Sequence, residues 1–255
     1  MKQFYTRNNR GLFLALLLLG LSQFTHQARS GPPFVTDDPE PVSYRHWEYY
    51  TSVQLAHDQG GWSGALPAME LNYGVVPEVQ LHIQVASAFS APTGESTQFG
   101  FGDTELGIKY RFVKETQFLP QIATFPVLEL PTGSHSLGFA SREVDAFLPV
   151  WMQKSFGKWT TYGGGGYWIN PGQGNRNWWM IGWLLQRKIT ENFAIGAEIF
   201  HETAQEQGGA SDTIINVGGI WDLSDRYHLL FSAGHTVQGP ASTIAYGGFQ
   251  ITWGP

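Results

Sequence analysis

The chain contains no cysteine in 255 residues. No disulfide staples it, no thiolate serves as nucleophile or metal ligand, and lipid attachment through an N-terminal thiol is excluded. Charge is scarce as well, at 14% of residues, and positive charge is scarcer, with 15 Lys and Arg against 21 Asp and Glu. Lys2, Arg7, Arg10 and Arg29 all precede residue 31 and every acid follows it, so the chain after Ser30 keeps 11 basic residues and a net charge near minus ten. That balance argues against nucleic acid and other polyanions as partners. Long apolar runs are also missing, apart from "GLFLALLLLGL" at residues 11–21. A membrane helix needs about 20 apolar residues, so helices are excluded as a means of crossing a bilayer after residue 30. Strands are not excluded, because barrels hide their hydrophobicity in alternation.

Residues 1–30 read as a signal peptide. Lys2, Arg7 and Arg10 precede the apolar run, and "ARS" at 28–30 puts small residues where a signal peptidase cuts, giving a mature start at Gly31. Residues 31–46 carry "GPPFVTDDPEP", too rich in proline for a strand. This segment is a periplasmic leader or a plug folded into a barrel, with disorder as the reading that composition favours.

What the chain does have is a period of two. In "GFGDTELGIKYRFVKETQF", residues 100–118, Asp103, Glu105, Lys109 and Arg111 share one parity, while Leu106, Ile108, Tyr110 and Phe112 share the other. "WEYYTSVQL", "MELNYGV" and "VQLHIQVA" repeat the pattern, and further candidates lie at 119–130, 143–156, 159–169, 178–189, 193–202, 213–223, 228–235 and 243–253. Tight turns such as "FGKW" and "KITEN" alternate with Gly-, Pro- and Ser-rich segments such as "PTGSHSLGFASR". Strands of about 9 to 11 residues with short turns at one end and long loops at the other predict an all-β fold, a transmembrane antiparallel up-and-down barrel of about 12 strands over residues 47–255. Breaks are expected near Pro120 and Pro126, and "GGGG" at 163–166 marks a close approach to the wall by a bulky neighbour or plug. Trp47, Tyr73, Tyr110, Phe112, Trp159, Phe193, Trp221 and Trp253 bunch at the short-turn ends, where an interfacial girdle would lie.

A barrel of this kind places its polar parity in the lumen. The expected lumen-lining residues are Glu48, Glu70, His82, Asp103, Glu105, Lys109, Arg111, Glu129, Asp145, Glu198 and Glu202. Acids outnumber bases, whereas an anion pore calls for Arg and Lys, so small neutral, aromatic or cationic solutes fit better than sugar acids or phosphate. Glu105→Lys is then expected to shift ion preference toward anions. The expected partners are outer-membrane lipid, a small-molecule solute and the barrel-assembly machinery. Chemistry has little support. "GSHS" at 133–136 offers a Ser and a His as loop neighbours with no third group to orient them. In a strand, the two acids of "EIFHE" share a face while His201 points the other way. No catalytic, metal or cofactor site is expected.

The motifs "GPPFVTDDPEPVSYRHWEYY" (31–50), "GFGDTELGIKYRF" (100–112), "LPTG" (130–133) and the closing "GGFQITWGP", in that order and spacing, resemble the family of exported barrels named for a MetA pathway of phenol degradation. The resemblance spans the chain after the signal. It implies an outer-membrane barrel labelled a transporter and associated with aromatic catabolism, and it brings no catalytic residues. Passive passage of small hydrophobic or aromatic solutes through the lumen is the expectation; a structural or surface-interaction barrel with a closed lumen is the alternative.

Overall fold

The computed structural model describes residues 32–255, so the expected signal peptide lies outside the described residues. The strands are β1 (Trp47–Asp58), β2 (Gly61–Val76), β3 (Val79–Pro92), β4 (Gln98–Phe101), β5 (Thr104–Val113), β6 (Gln121–Thr124) and β7 (Val127–Leu130), then β8 (Asp145–Phe156), β9 (Trp159–Ile169), β10 (Trp178–Lys188), β11 (Phe193–Glu202), β12 (Asp212–Asp222), β13 (Tyr227–Gln238) and β14 (Thr243–Trp253). All pair antiparallel with their neighbours. β1 closes on β14 from Trp47↔Trp253 to His57↔Thr243. β4 and β5 both lie against β3, and β6 and β7 both lie between β5 and β8, so each pair is one interrupted stave. The result is a closed barrel of twelve staves with no free edge.

The two interruptions have different causes. Phe125 and Pro126 separate β6 from β7, where proline cannot donate to the ladder. Gly102 and Asp103 separate β4 from β5 because the Asp103 carboxylate is turned to the 131–144 loop, accepting from Gly133 N at 3.0 Å and Ser141 N at 2.7 Å. β2 begins at Gly61, eight residues before the alternation of "MELNYGV" becomes legible. Its first half contains Pro67, and the register slips between Ala65 and Ala68. Loop lengths follow the expected asymmetry in part. Residues 131–144, 170–177 and 203–211 are long connections at one end, yet 59–60 at that end is a tight turn and 114–120 at the other is not. The tight turn ends on Gly61 at φ +131, where a Cβ would also strike the Ala91 carbonyl.

The outer face is apolar along the whole wall. Leu81, Ile83 and Val85 of β3, Leu106, Ile108 and Tyr110 of β5, and Trp179, Ile181 and Trp183 of β10 are all exposed. A water-soluble domain does not carry so continuous an apolar skin, whereas lipid satisfies it. Among the described residues no helix is long and apolar enough to cross a membrane.

The seam is reinforced at its short-turn end. Trp47 of β1 stacks on Tyr73 of β2 at 4.2 Å and on Trp253 of β14 at 6.1 Å, joining three adjacent staves where the barrel closes. Such a pair contributes about 0.5–1.5 kcal/mol beyond its area. Trp253→Ala is therefore expected to lower the unfolding free energy from urea titration of the refolded barrel by at least that much, and its midpoint accordingly, with Trp221→Ala, away from the seam, as the comparison. Equal midpoints for the two variants would refute a special role for the seam.

Candidate functional site

Residues 32–42 run inside the barrel and four staves hold them, while Ser43, Tyr44 and Arg45 are exposed where Tyr44 pairs with Gly74 near the short-turn end of β2. On β11, Glu198, 2% exposed, accepts from Val35 N at 2.9 Å and Thr36 N at 2.8 Å, and Asn216 of β12 donates to the same carboxylate at 2.7 Å. Ser232 Oγ on β13 donates to the Pro33 carbonyl at 2.6 Å. Lys109 Nζ on β5 lies 3.0 Å from Asp37 Oδ1, with both side chains buried. Gln80 Oε1 on β3 accepts from Val42 N at 2.9 Å. Space is made by glycines on the wall: a Cβ at Gly182 would collide with Thr36 Oγ1, and one at Gly196 would stand 2.9 Å from Phe34 Cζ. Prolines reduce the entropy this segment loses on ordering, which helps an irregular stretch stay in place.

Around it, one side of the wall carries a cross-strand row of acids. Register places Glu70 of β2 opposite Gln84 of β3, Gln84 opposite Glu105 of β5, Glu105 opposite Glu129 of β7, and Glu129 opposite Asp145 of β8. The neighbouring level holds His82, whose ring is fixed on both sides. Asn72 Nδ2 donates to Glu70 at 2.7 Å, so Asn72 Oδ1 accepts from His82 Nδ1 at 2.8 Å, and His82 Nε2 lies 2.9 Å from Glu105 Oε1. A ring that donates from both nitrogens is an imidazolium. The Phe125 ring meets His82 edge-on at 5.3 Å and carries Lys109 Nζ 5.0 Å from its centroid. These groups border a cavity of about 330 Å³ between the leader and the wall.

The other expected residues fall into separate places. Glu48 accepts from Tyr50 at 2.9 Å. Arg111 bonds Glu78 at 2.6 Å and Gln121 at 2.7 Å, near the short-turn end. Arg111 and Lys114 hold the carboxyl of Glu78, a turn residue, below its usual range. Asp103 pins a loop at the opposite mouth, away from the row. Glu198 holds the leader, and Glu202, at the end of β11, accepts from Gln205 at 3.1 Å.

A second inner feature is aromatic. Phe147 of β8 stacks on Trp168 of β9 at 4.8 Å, and Trp168 stacks on Trp178 of β10 at 5.4 Å. Phe125, Val127, Trp151 and Met180 complete the cluster, Val35 of the leader packs against it, and the indole N–H groups of Trp151, Trp168 and Trp178 are buried without a protein acceptor. The Trp151 ring comes within 3.1 Å of a Cβ placed at Gly164, and Phe147 within 2.5 Å of one at Gly166, so the four glycines do meet bulky neighbours. The alternation in "WWMIGWLL" shows that Trp178 and Met180 share a parity, but nothing in it says which Trp of the pair faces inward.

Solved structures share the architecture. An outer membrane channel from Pseudomonas putida F1 superposes with a TM-score of 0.66 at 14% identity, covering 85% of this chain and 98% of that one. The NanC porin gives 0.57 at 6% identity, covering 80% and 98%, and the KdgM porin 0.56 at 12%, covering 79% and 98%. At these identities the likeness is one of fold, and with the apolar outer skin it places the barrel in the bacterial outer membrane. No curated protein matches the sequence. The family model described as "Putative MetA-pathway of phenol degradation" matches residues 53–253, from the first stave to the last. The chain belongs to that family.

Proposed function

We propose that the protein is an outer-membrane channel through which small hydrophobic or aromatic solutes diffuse passively, with residues 32–46 acting as a plug that narrows the lumen. The observation that carries this is the closed barrel, whose interior keeps cavities of about 330 and 170 Å³ between residues 32–46 and the wall. The acidic row along the wall disfavours anions. Membership of a phenol-degradation family agrees with an aromatic cargo, and no chemical step is assigned to any residue. Assembly by the outer-membrane insertion machinery belongs to the same reading.

Liposome swelling and planar-bilayer recording of the refolded protein test it. Neutral aromatic solutes are expected to enter faster than carboxylates of equal size. A barrel that neither conducts nor swells liposomes would instead be the closed, structural barrel, which the plug's bonds to four staves favour.

A further inference from the structure

The two cavities meet inside the barrel. Among the described residues, Pro32 of the plug, Glu70 of β2 and Gln84 of β3 line both of them, and no other residue does. The smaller reaches Glu202, Asp212 and Ser242, which border the 203–211 and 239–242 connections at the long-loop mouth. The larger reaches Glu40 and Ser43, which are exposed toward the short-turn end. Laid end to end, the cavities run from one mouth to the other past one side of the plug. Neither is lined by any residue of β8, β9 or β10. On that side the plug is packed against the wall, with Val35 on the aromatic cluster and Phe34 on Tyr162 and Leu184.

The waist between the cavities carries a mismatched pair. Glu70 and Gln84 stand directly opposite in register, so their side chains start about 5 Å apart and one small group can touch both. Asn72 Nδ2 at 2.7 Å and His82 Nδ1 at 3.5 Å both approach Glu70 Oε1. His82 Nε2 draws in the same way on Glu105, the residue on the other flank of Gln84. Gln84, 4% exposed, is left with its Nε2 unpartnered although a carboxylate stands on either side. A free amide donor beside a carboxylate matches a group that both accepts and donates, and a neutral hydroxyl is such a group. An ammonium cannot accept from Gln84, and a carboxylate meets Glu70 as a like charge.

We propose that solutes cross on this one side of the plug, and that Glu70 and Gln84 form a subsite at the waist for the hydroxyl of a neutral solute. The hydroxyl donates to the Glu70 carboxylate and accepts from Gln84 Nε2. A ring attached to it has room in the smaller cavity of about 170 Å³, since an apolar cavity of about 150 Å³ accepts benzene. The crossing rests on the channel reading, whereas occupancy of the subsite at equilibrium does not.

Because the chain has no cysteine, single cysteines report the route. Gln84→Cys is expected to react with a cationic methanethiosulfonate and to lose more than half of its single-channel current, while Leu184→Cys, 0% exposed on the packed side, stays unreacted. Mass spectrometry reads the labelling whether or not the barrel conducts. Gln84→Cys left unlabelled overturns the route, and a barrel that labels there without conducting sinks the channel reading alone. Saturation-transfer NMR on the protein in detergent, with benzyl alcohol and benzyl methyl ether, tests the subsite. The alcohol is expected to bind about tenfold tighter, since only the alcohol donates to the carboxylate, and Gln84→Leu to weaken both about fivefold. Gln84→Leu removes an unsatisfied amide, so its urea midpoint is expected to hold or rise, which separates lost binding from lost fold. Equal affinity for alcohol and ether, parental binding by Gln84→Leu, or a lowered midpoint in that variant overturns the subsite.

Discussion

Lys109→Met is expected to convert a mostly narrow channel into a mostly wide one. The substitution leaves the Asp37 carboxylate, fully buried in the plug, without its cation 3.0 Å away. Breaking a buried pair from one side costs about 3–5 kcal/mol. The barrel need not bear that cost, because the plug can leave for water and take Asp37 with it. Each 1.4 kcal/mol shifts a population about tenfold, so even half the penalty raises the wide state by one to two orders of magnitude. The remaining bonds, from Glu198 to Val35 and Thr36 and from Ser232 to Pro33, keep some plugged population. Single-channel traces should show a higher conductance level visited far more often. The double variant Asp37→Leu with Lys109→Met should return to narrow behaviour, since replacing both members of a buried pair by apolar groups is often neutral. If Lys109→Met conducts like the parent, the plug is not held by this pair; if the double variant stays wide, the effect was damage to the wall.

The barrel was legible because its signal is periodic. Leu106, Ile108 and Tyr110 alternate with Glu105, Gly107 and Lys109 whatever their neighbours do, and lipid on one side enforces the pattern. The strand breaks were partly legible, since Pro126 carries its own reason. The break at Asp103 was not, because it depends on backbone donors about thirty and forty residues away. The leader was the least legible. Its composition matches disorder, and what orders it is a set of single side chains on distant staves, Glu198, Lys109, Ser232 and Gln80, that no local pattern connects. Glu202 could be assigned to the lumen parity, but its cross-strand partner Asp212 was missed because the alternation of β12 becomes readable only from Thr213. Parity assigns a face. It does not reveal which groups on that face are already engaged, and this decides which of them are available to a solute.

Glu105 shows the consequence. Glu105→Lys is expected to abolish the folded barrel rather than to reverse its ion preference. Glu105 Oε1 sits 2.9 Å from His82 Nε2 inside the wall, and Lys109 lies on the same strand and face. A lysine at 105 would put a second cation against the imidazolium and remove its nearer carboxylate, leaving Glu70 at 3.5 Å. An uncompensated buried charge costs about 3–5 kcal/mol, a large part of the stability of an ordinary domain. Glu105→Gln keeps an acceptor oxygen and gives up only the charge, so a loss of about 1–2 kcal/mol is expected. Heat-modifiable mobility and urea midpoints order the three proteins as parent, Gln, Lys. A selectivity shift belongs instead at Glu40 of the plug, whose side chain is 62% exposed and only 3.9 Å from Arg111 at its closest. Glu40→Lys should move the reversal potential in a salt gradient toward anions while leaving the midpoint where it was. A folded Glu105→Lys barrel with reversed selectivity would show that the charge at 105 faces water and that the His82 pair does not hold the wall.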